Sequence, residues 1–507
     1  MRTQLRSDTP LLEFWEATRL SADDARYPEQ AEPAAGTDEA IRAALAGVLG
    51  RGCGQRVGTV LAKGGTFVQA RTTPSAGALY PFEVLVGLSD GERCVSYLYE
   101  VDSGQLNPLA SAPPVALAEL VAQAGLADAA AAPVRAVVTL VARPWTSMAK
   151  YGRRGYLYTY LDIGHAATNL ALAARAAGLD ATVHLRFRRQ WLTHALGLAG
   201  TCREPQAVVT ITVPGRPPAD RPAAGAPAGE DGVVTPVWRD RRQARLEPPG
   251  DPERRNFEAL RDISLSYAPA AVARPGRIAS VTEPPSPAEP SADVTLRRPR
   301  GGPDDHTALA ARRQSAKGFL PAAVSLDQVA GLLDGLDGRL AADFAESAPA
   351  GIGVRLVARA VTGLAPGAYA WSARRHALHP AGGGPVGEED VLATCQRQDG
   401  LRHAGALVLL HTPLRALLRE QGRAGLAEVH FHAAHVAQRM CVNAARERVG
   451  ITCVGGFDEA HAARLGHLPR GEEVIYLLAV GVADPAARKV DRDPVAYSHG
   501  RTAAGLI

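Results

Sequence analysis

The chain has 507 residues, 46% of them hydrophobic, which at about 100 to 200 residues per domain provides for two to four domains and excludes disorder throughout. Fifty-six Lys and Arg against 52 Asp and Glu leave a net charge of +4, too small for an electrostatic footprint on nucleic acid or a membrane surface. Six cysteines without a CxxC pair exclude a zinc ribbon and a dense disulfide framework.

The first residues, MRTQLRSDTPLLEFWEATRL, lack the apolar run of a signal peptide, and no stretch is long and apolar enough to span a bilayer, so a soluble cytosolic protein is expected. Arg71 to Pro81 reads RTTPSAGALYP and precedes a strand pattern, FEVLVGL. Pro74, Ser75, Ala76 and Gly77 leave backbone amides uncovered, so a flat ligand can approach the main chain while Ser75 offers a hydroxyl; an ordinary turn is the simpler alternative. VRAVVTLVA follows as a second strand. Next comes MAKYGRRGYLYTYLDIGHAATNL, with Lys150 and Tyr151 ahead of a helix expected over Leu161 to Leu179. The basicity of the chain is nearly all arginine, its only lysines being Lys63, Lys150, Lys317 and Lys489. A lysine kept beside a tyrosine and arginines, and partly desolvated, is a plausible base near neutral pH. A surface Lys-Tyr step is the bland reading of the same residues.

Sixteen of the 37 prolines fall between Pro214 and Pro299, a linker composition in which Asn256 to Tyr267 has the pattern of a short docked helix. Residues 1–215, 216–300 and 301–507 therefore read as a first domain, a linker and a second domain. Past the linker, Arg313 to Phe319 reads RQSAKGF, and Ser325 has the position of a helix N-cap. Arg313, Ser315 and Lys317 at alternate positions of an extended segment point to one side and suit a phosphate or the polar edge of a heterocycle, where the alternative is a solvated basic loop. The histidines of VHFHAAH are spaced by two and three residues, which does not place all three on one helical face, and no metal site is assigned. VGGF at Val454 to Phe457 places Gly455 and Gly456 just before a helix start at Asp458, where backbone can approach an anion or an electron-rich carbonyl. No phosphate-loop, Rossmann or GxSxG motif is present.

The two halves align with each other at an offset of 270 residues, without gaps, from Lys150–Phe187 to Glu420–Phe457. His165 pairs with His435 and Phe187 with Phe457, and in both halves an apolar strand precedes and follows the long helix. Mixed helices and strands without a regular βα alternation make each half an α+β domain, and the pair an internal pseudo-dimer by tandem duplication.

Taken together, RTTPSAGALYP, KYGRRGY followed by LDIGHAATNLALAA, and VGGF followed by a strand resemble the nitroreductase superfamily. More narrowly they are similar to SagB-type azoline dehydrogenases, which act in the maturation of ribosomally made peptides that carry thiazole and oxazole rings. The resemblance covers about Ala40 to Pro214 and Arg313 to Gly481. It implies FMN at the interface between two domains, with Arg313, Ser315 and Lys317 on its polar end and Gly455 and Gly456 beside its ring. Arg71, Pro74, Ser75, Ala76 and Gly77 are implied to contact it from the opposite domain, and Lys150 and Tyr151 match the catalytic pair. Arg488, Lys489 and Arg501 are further candidates for its phosphate. The motif losses are complementary, since Lys-Tyr survives only in the first half and Arg-x-Ser-x-Lys and Gly-Gly only in the second, so one FMN site per chain is expected.

The implied reaction is oxidation of a peptide thiazoline or oxazoline to the aromatic ring, Lys150 or Tyr151 taking a proton and FMN a hydride. An azoline-containing precursor peptide and a cyclodehydratase complex are the implied partners. Two other readings stay open: an NAD(P)H-dependent FMN reductase of nitro, quinone or ene substrates, and a flavin-free scaffold that recruits the peptide.

Overall fold

The computed structural model describes residues 39–63, 66–89, 93–101, 103–109, 115–126, 134–151, 153–198, 203–214, 276–278, 293–299, 305–336, 338, 340–343 and 351–487. The helix expected over Asn256 to Tyr267 and the basic residues Arg488, Lys489 and Arg501 lie outside them.

In the first half, helix α1 (Glu39–Cys53) leads into a hairpin of β1 (Gln55–Lys63) and β2 (Thr66–Arg71). Then come β3 (Phe82–Ser89), β4 (Cys94–Glu100), β5 (Gln105–Pro108), α2 (Leu117–Gln123), β6 (Val134–Ala142), α3 (Pro144–Tyr151), α4 (Arg153–Ala176), β7 (Asp180–His184), α5 (Arg189–Ala195) and β8 (Glu204–Thr212). The long helix begins earlier than its apolar core suggested, because YLYTY is helical as well. Two short strands, β9 (Gly276–Ile278) and β10 (Val294–Thr295), belong to the proline-rich segment.

The second half contains α6 (His306–Arg312), β11 (Val324–Ser325), α7 (Leu326–Leu333), β12 (Leu340–Ala342), β13 (Gly353–Ala358), β14 (Val361–Thr362), β15 (Gly367–Ser372), β16 (Ala377–Gly382) and α8 (Glu388–Thr394). It ends with β17 (Ala406–Thr412), α9 (Leu414–Glu447), β18 (Gly450–Val454), α10 (Glu459–Leu465) and β19 (Glu473–Gly481). Ser325 caps α7 in a reciprocal box with Gln328, as its position predicts.

Six strands of each half follow one order, β5-β4-β3-β6-β8-β7 in the first sheet and β16-β15-β13-β17-β19-β18 in the second. The offset of 270 maps β7 onto β18 and α5 onto α10 end to end, so the duplication read from the sequence is a duplication of structure. β6 and β17 are central strands and read as continuous apolar runs because they are covered on both faces. One long helix packs on each sheet, α4 on the first and α9 on the second, and the two helices pack on each other.

Their crossing carries a pseudo-twofold axis. Gly164 meets Ala434, its own equivalent, at a distance that leaves no room for a Cβ on Gly164 (2.6 Å to the Ala434 Cβ). On either side His165 Nδ1 bonds Gln438 (2.9 Å) and His435 Nδ1 bonds Thr168 (3.2 Å), which are the same pair of positions exchanged. Leu161 is buried in the core of the second half, and its equivalent Phe431 in the core of the first. The exchange extends to strands, for β12 adds parallel to β7 at the edge of the first sheet and β9 adds beyond it.

Candidate functional site

The loop between β2 and β3 is held by a buried carboxylate. Asp162, on α4, accepts the Ser75 hydroxyl (2.5 Å) and the Ala76 amide (3.2 Å), while the Tyr80 amide donates to Ser75 Oγ (2.8 Å). The Ser75 hydroxyl proton is thus directed to Asp162. Gly77 sits at φ 66, a left-handed conformation for which glycine is suited, and a Cβ there would lie 2.4 Å from the Tyr151 hydroxyl. Burial raises the Asp162 carboxyl from 3.8 to about 7, against the two hydrogen bonds that favour its anion.

Tyr151 is the hub of the first wall. Its ring stands edge-on to Tyr158 at a centroid distance of 5.0 Å, and Lys150 Nζ lies 5.6 Å from its ring centroid. Tyr158 in turn fills the place of a side chain at Gly455, where a Cβ would come within 2.8 Å of its ring. Arg154 ties these residues together by donating to Tyr158 Oη (3.1 Å) and to the Gly455 carbonyl (3.0 Å), with an ion pair to Glu459. The Lys-Tyr step, the PSAG loop and the double glycine, distant in sequence, thereby line one place between the halves.

The other end of that place is cationic. Arg313 is buried and donates to the carbonyls of Thr72 (2.6 Å) and Arg71 (2.9 Å) and to Ser315 Oγ (3.3 Å), stapling the second half to the loop of the first. Arg71 itself lies over the Tyr80 ring, 4.4 Å from its centroid, and Pro74 is buried in the loop. Ser315 bridges to Ile451 of β18, the strand that runs into Gly455 and Gly456. Lys317 is lowered to about 8 by burial and then by Arg313 and Arg56. Arg56 is lowered to about 10, by burial and then by Arg313.

Three observations fit a flat anionic cofactor here. Arg56 and Lys317 are each lowered by burial and then by neighbouring cations, a cluster of positive charge that an anion would relieve. Arg56 Nη1 and the hydroxyls of Thr72 and Thr73 are buried with no hydrogen-bond partner among the described residues. The carbonyls of Gly455 and Gly456 are taken by Arg154 and Gln398, which leaves the amides of these two glycines as the groups with no acceptor among the described residues.

The nitroreductase family profile matches residues 38–215 and 310–482. The chain belongs to the nitroreductase family. Its fold is also that of a protein from Anabaena variabilis assigned as a nitroreductase, at a TM-score of 0.62 and 17% identity over 94% of this chain and 100% of that one. A Ralstonia eutropha protein assigned likewise matches at 19% identity and a TM-score of 0.29, covering 41% of this chain and 98% of that one. A chain of the E. coli microcin synthetase McbBCD complex with truncated pro-MccB17 bound matches at 20% identity and a TM-score of 0.29, covering 38% and 73%. No curated protein matches the chain in sequence. Membership of the nitroreductase family points to an oxidoreductase, and FMN is a group that members of that family commonly bind.

At the pseudo-equivalent place across the twofold the chain is built differently. Leu185 and Arg186 stand where the other site has Gly455 and Gly456, and Glu428 stands where it has Tyr158. Arg186 forks onto Glu428 (2.7 and 2.9 Å), and the buried Asp343 accepts from both the Leu185 and Arg186 amides at 3.0 Å. A carboxylate and an ion pair therefore stand where the other site has two glycines and Tyr158. His430, His432 and His435 are buried near this helix crossing, with His430 and His432 lowered to about 4 by burial, and no group of three metal-ligating side chains occurs among the described residues.

Sequence reasoning passed over Asp162, Arg56, Arg154 and Tyr158. For Asp162 a signal existed, a single carboxylate in an apolar helical stretch, LDIGHAA. Arg56, Arg154 and Tyr158 carried none, being an arginine on a strand and two residues of the Arg- and Tyr-rich start of α4. Among the described residues no helix is long and apolar enough to cross a membrane.

Proposed function

We propose that this chain is an FMN-dependent azoline dehydrogenase that oxidises thiazolines or oxazolines of a ribosomally made precursor peptide to thiazoles or oxazoles, in concert with a cyclodehydratase. The observation that carries the reading is Tyr151 packed against Gly77 and edge-on to Tyr158, with Lys150 Nζ 5.6 Å from the Tyr151 ring centroid. A reductase fed by a nicotinamide has no need of a base there.

Arg56, Arg313 and Lys317 would hold the FMN phosphate, the amides of Gly455 and Gly456 a ring carbonyl, and the loop Pro74–Gly77 the opposite side of the ring. When bound, FMN supplies an acceptor for two electrons and a hydrogen. Lys150 takes the proton from the ring carbon next to the peptide carbonyl, whose acidity makes that carbon the point of attack. Tyr151, fixed by Tyr158 and by the absence of a side chain at Gly77, keeps the lysine on the substrate side of the cavity. The pseudo-equivalent place, closed by Asp343, Arg186 and Glu428, would take no cofactor, so one FMN per chain is expected.

The deciding experiment measures the visible spectrum, FMN per chain after denaturation, and azoline oxidation for wild type and Lys150→Ala. One FMN in both proteins, with oxidation abolished only in the variant, is the expected result. Two FMN per chain, or undiminished oxidation by Lys150→Ala, would overturn it.

A further inference from the structure

Cys441 on α9 and Cys453 on β18 have their sulfurs in contact at 3.8 Å. Neither the catalytic pair nor the cofactor cradle uses them. Both are free thiols, Cys441 buried and Cys453 half-buried, the latter on the strand that leads into the double glycine two residues later. His165, from the other half, presents Nε2 at 3.9 Å from Cys453 Sγ. With Gln438 Oε1 accepting from Nδ1, that nitrogen turns a lone pair toward the thiol and toward the Tyr476 hydroxyl at 3.2 Å. The other described cysteines, Cys53, Cys94 and Cys395, are all buried.

We propose that Cys441 and Cys453 are a reversible dithiol–disulfide couple beside the double glycine, with Cys453 the sulfur that meets the oxidant and Cys441 the one that resolves it. The oxidant is a peroxide, hydrogen peroxide being the simplest. Cys453 gives its proton to His165, and its sulfur attacks one peroxide oxygen. The O–O bond breaks, the departing hydroxide takes up a proton to leave as water, and Cys453 is left as a sulfenic acid. Cys441 then attacks that sulfur, the S–O bond breaks, and hydroxide leaves with the Cys441 proton as a second water. Two thiols and one peroxide thus become one disulfide and two waters, with both electrons taken from sulfur.

The division of roles rests on access, Cys453 being half-buried beside His165 and Cys441 buried. Cys441 is lowered first by the hydrogen bond from Cys453 and also by Arg313, whereas Cys453 is raised first by that same bond and then by burial. Electrostatics alone therefore leave Cys441 the more readily deprotonated sulfur, and it is the partial exposure of Cys453 and its contact with His165 that assign it the oxidant.

The couple requires no bound cofactor, and its test reads mass rather than turnover. Reduced wild-type protein, freed of reductant and treated with stoichiometric hydrogen peroxide, is quenched with an alkylating reagent and mapped by mass spectrometry. Loss of two hydrogens, a cross-linked pair of peptides containing Cys441 and Cys453, and full recovery with dithiothreitol are expected. In Cys441→Ser the reaction should stop at Cys453 sulfenic acid, captured by dimedone, and Cys453→Ser should leave Cys441 alkylatable. Three results in the wild type would each overturn the proposal: both thiols still fully alkylated after peroxide, dimedone capture of Cys453 as complete as in Cys441→Ser, or prior oxidation of another cysteine.

Discussion

Asp162 sets the pH behaviour of the loop it holds. Its folded pKa of about 7 exceeds the ordinary 3.8, so between those values the folded protein keeps a proton that the unfolded chain has released. Stability from this group is therefore complete at low pH, is lost as pH rises toward 7, and is constant above. Asp162→Asn retains an acceptor for the Ala76 amide and removes the titration, so melting curves from pH 5 to 8 should show the variant gaining on wild type as pH rises. A difference that is flat with pH would contradict this. Lys317 makes a second prediction. At about 8 its proton is only just held, and a bound phosphate favours the charged form, so FMN affinity should weaken as pH rises from 7 to 9 in wild type. In Lys317→Met that slope should be smaller and the affinity at pH 7 at least tenfold lower, as read by quenching of flavin fluorescence.

At the level of elements, the double glycine after β18 is a matter of space. Tyr158 is buried and held by Arg154 and Tyr151, so it cannot move aside for a Cβ at Gly455, which would lie 2.8 Å from its ring. Gly455→Ala should then cost about 1–3 kcal/mol of stability through overpacking and weaken FMN retention more than Gly456→Ala does. Thermal melts and gel-filtration retention of flavin check both parts. Part of the layout was legible beforehand: RTTPSAGALYP, Lys150-Tyr151, RQSAKGF and VGGF stand out because backbone-exposing glycines and alternate polar residues are local signals, and Tyr151 meets Gly77 while Arg313 bonds the carbonyls of Arg71 and Thr72. What was hidden is contact across the duplication. A sequence contains nothing to join Tyr158 to Gly455 or Arg56 to Lys317, and a helix such as α4, buried on nearly all sides, lacks the polar face that would have marked its start. The proline-rich segment also hid strands β9 and β10, each too short to stand out without the sheet edge it joins.

Across the whole molecule the two halves share their cores. Leu161 lies in the second core and Phe431 in the first, so Leu161→Ala and Phe431→Ala should each lower one common unfolding transition, by about 2–5 and 3–5 kcal/mol, and not split it into two. Calorimetry distinguishes one transition from two. The closed pseudo-site behaves as a structural ion pair. Removing Arg186 alone leaves Glu428 buried without its partner, so Arg186→Met should cost about 3–5 kcal/mol and the double variant Arg186→Met/Glu428→Leu should recover most of it.

Both walls of the cavity, the loop of the first half and the glycines of the second, are carried by one polypeptide and joined through the Arg313 staple. Dilution therefore cannot part them. In a two-chain arrangement the cradle falls apart when protein concentration drops below the subunit dissociation constant, and the ligand is lost with it. Here the halves meet at an effective concentration set by their tether, and cofactor release at nanomolar protein is governed by the affinity of the site alone.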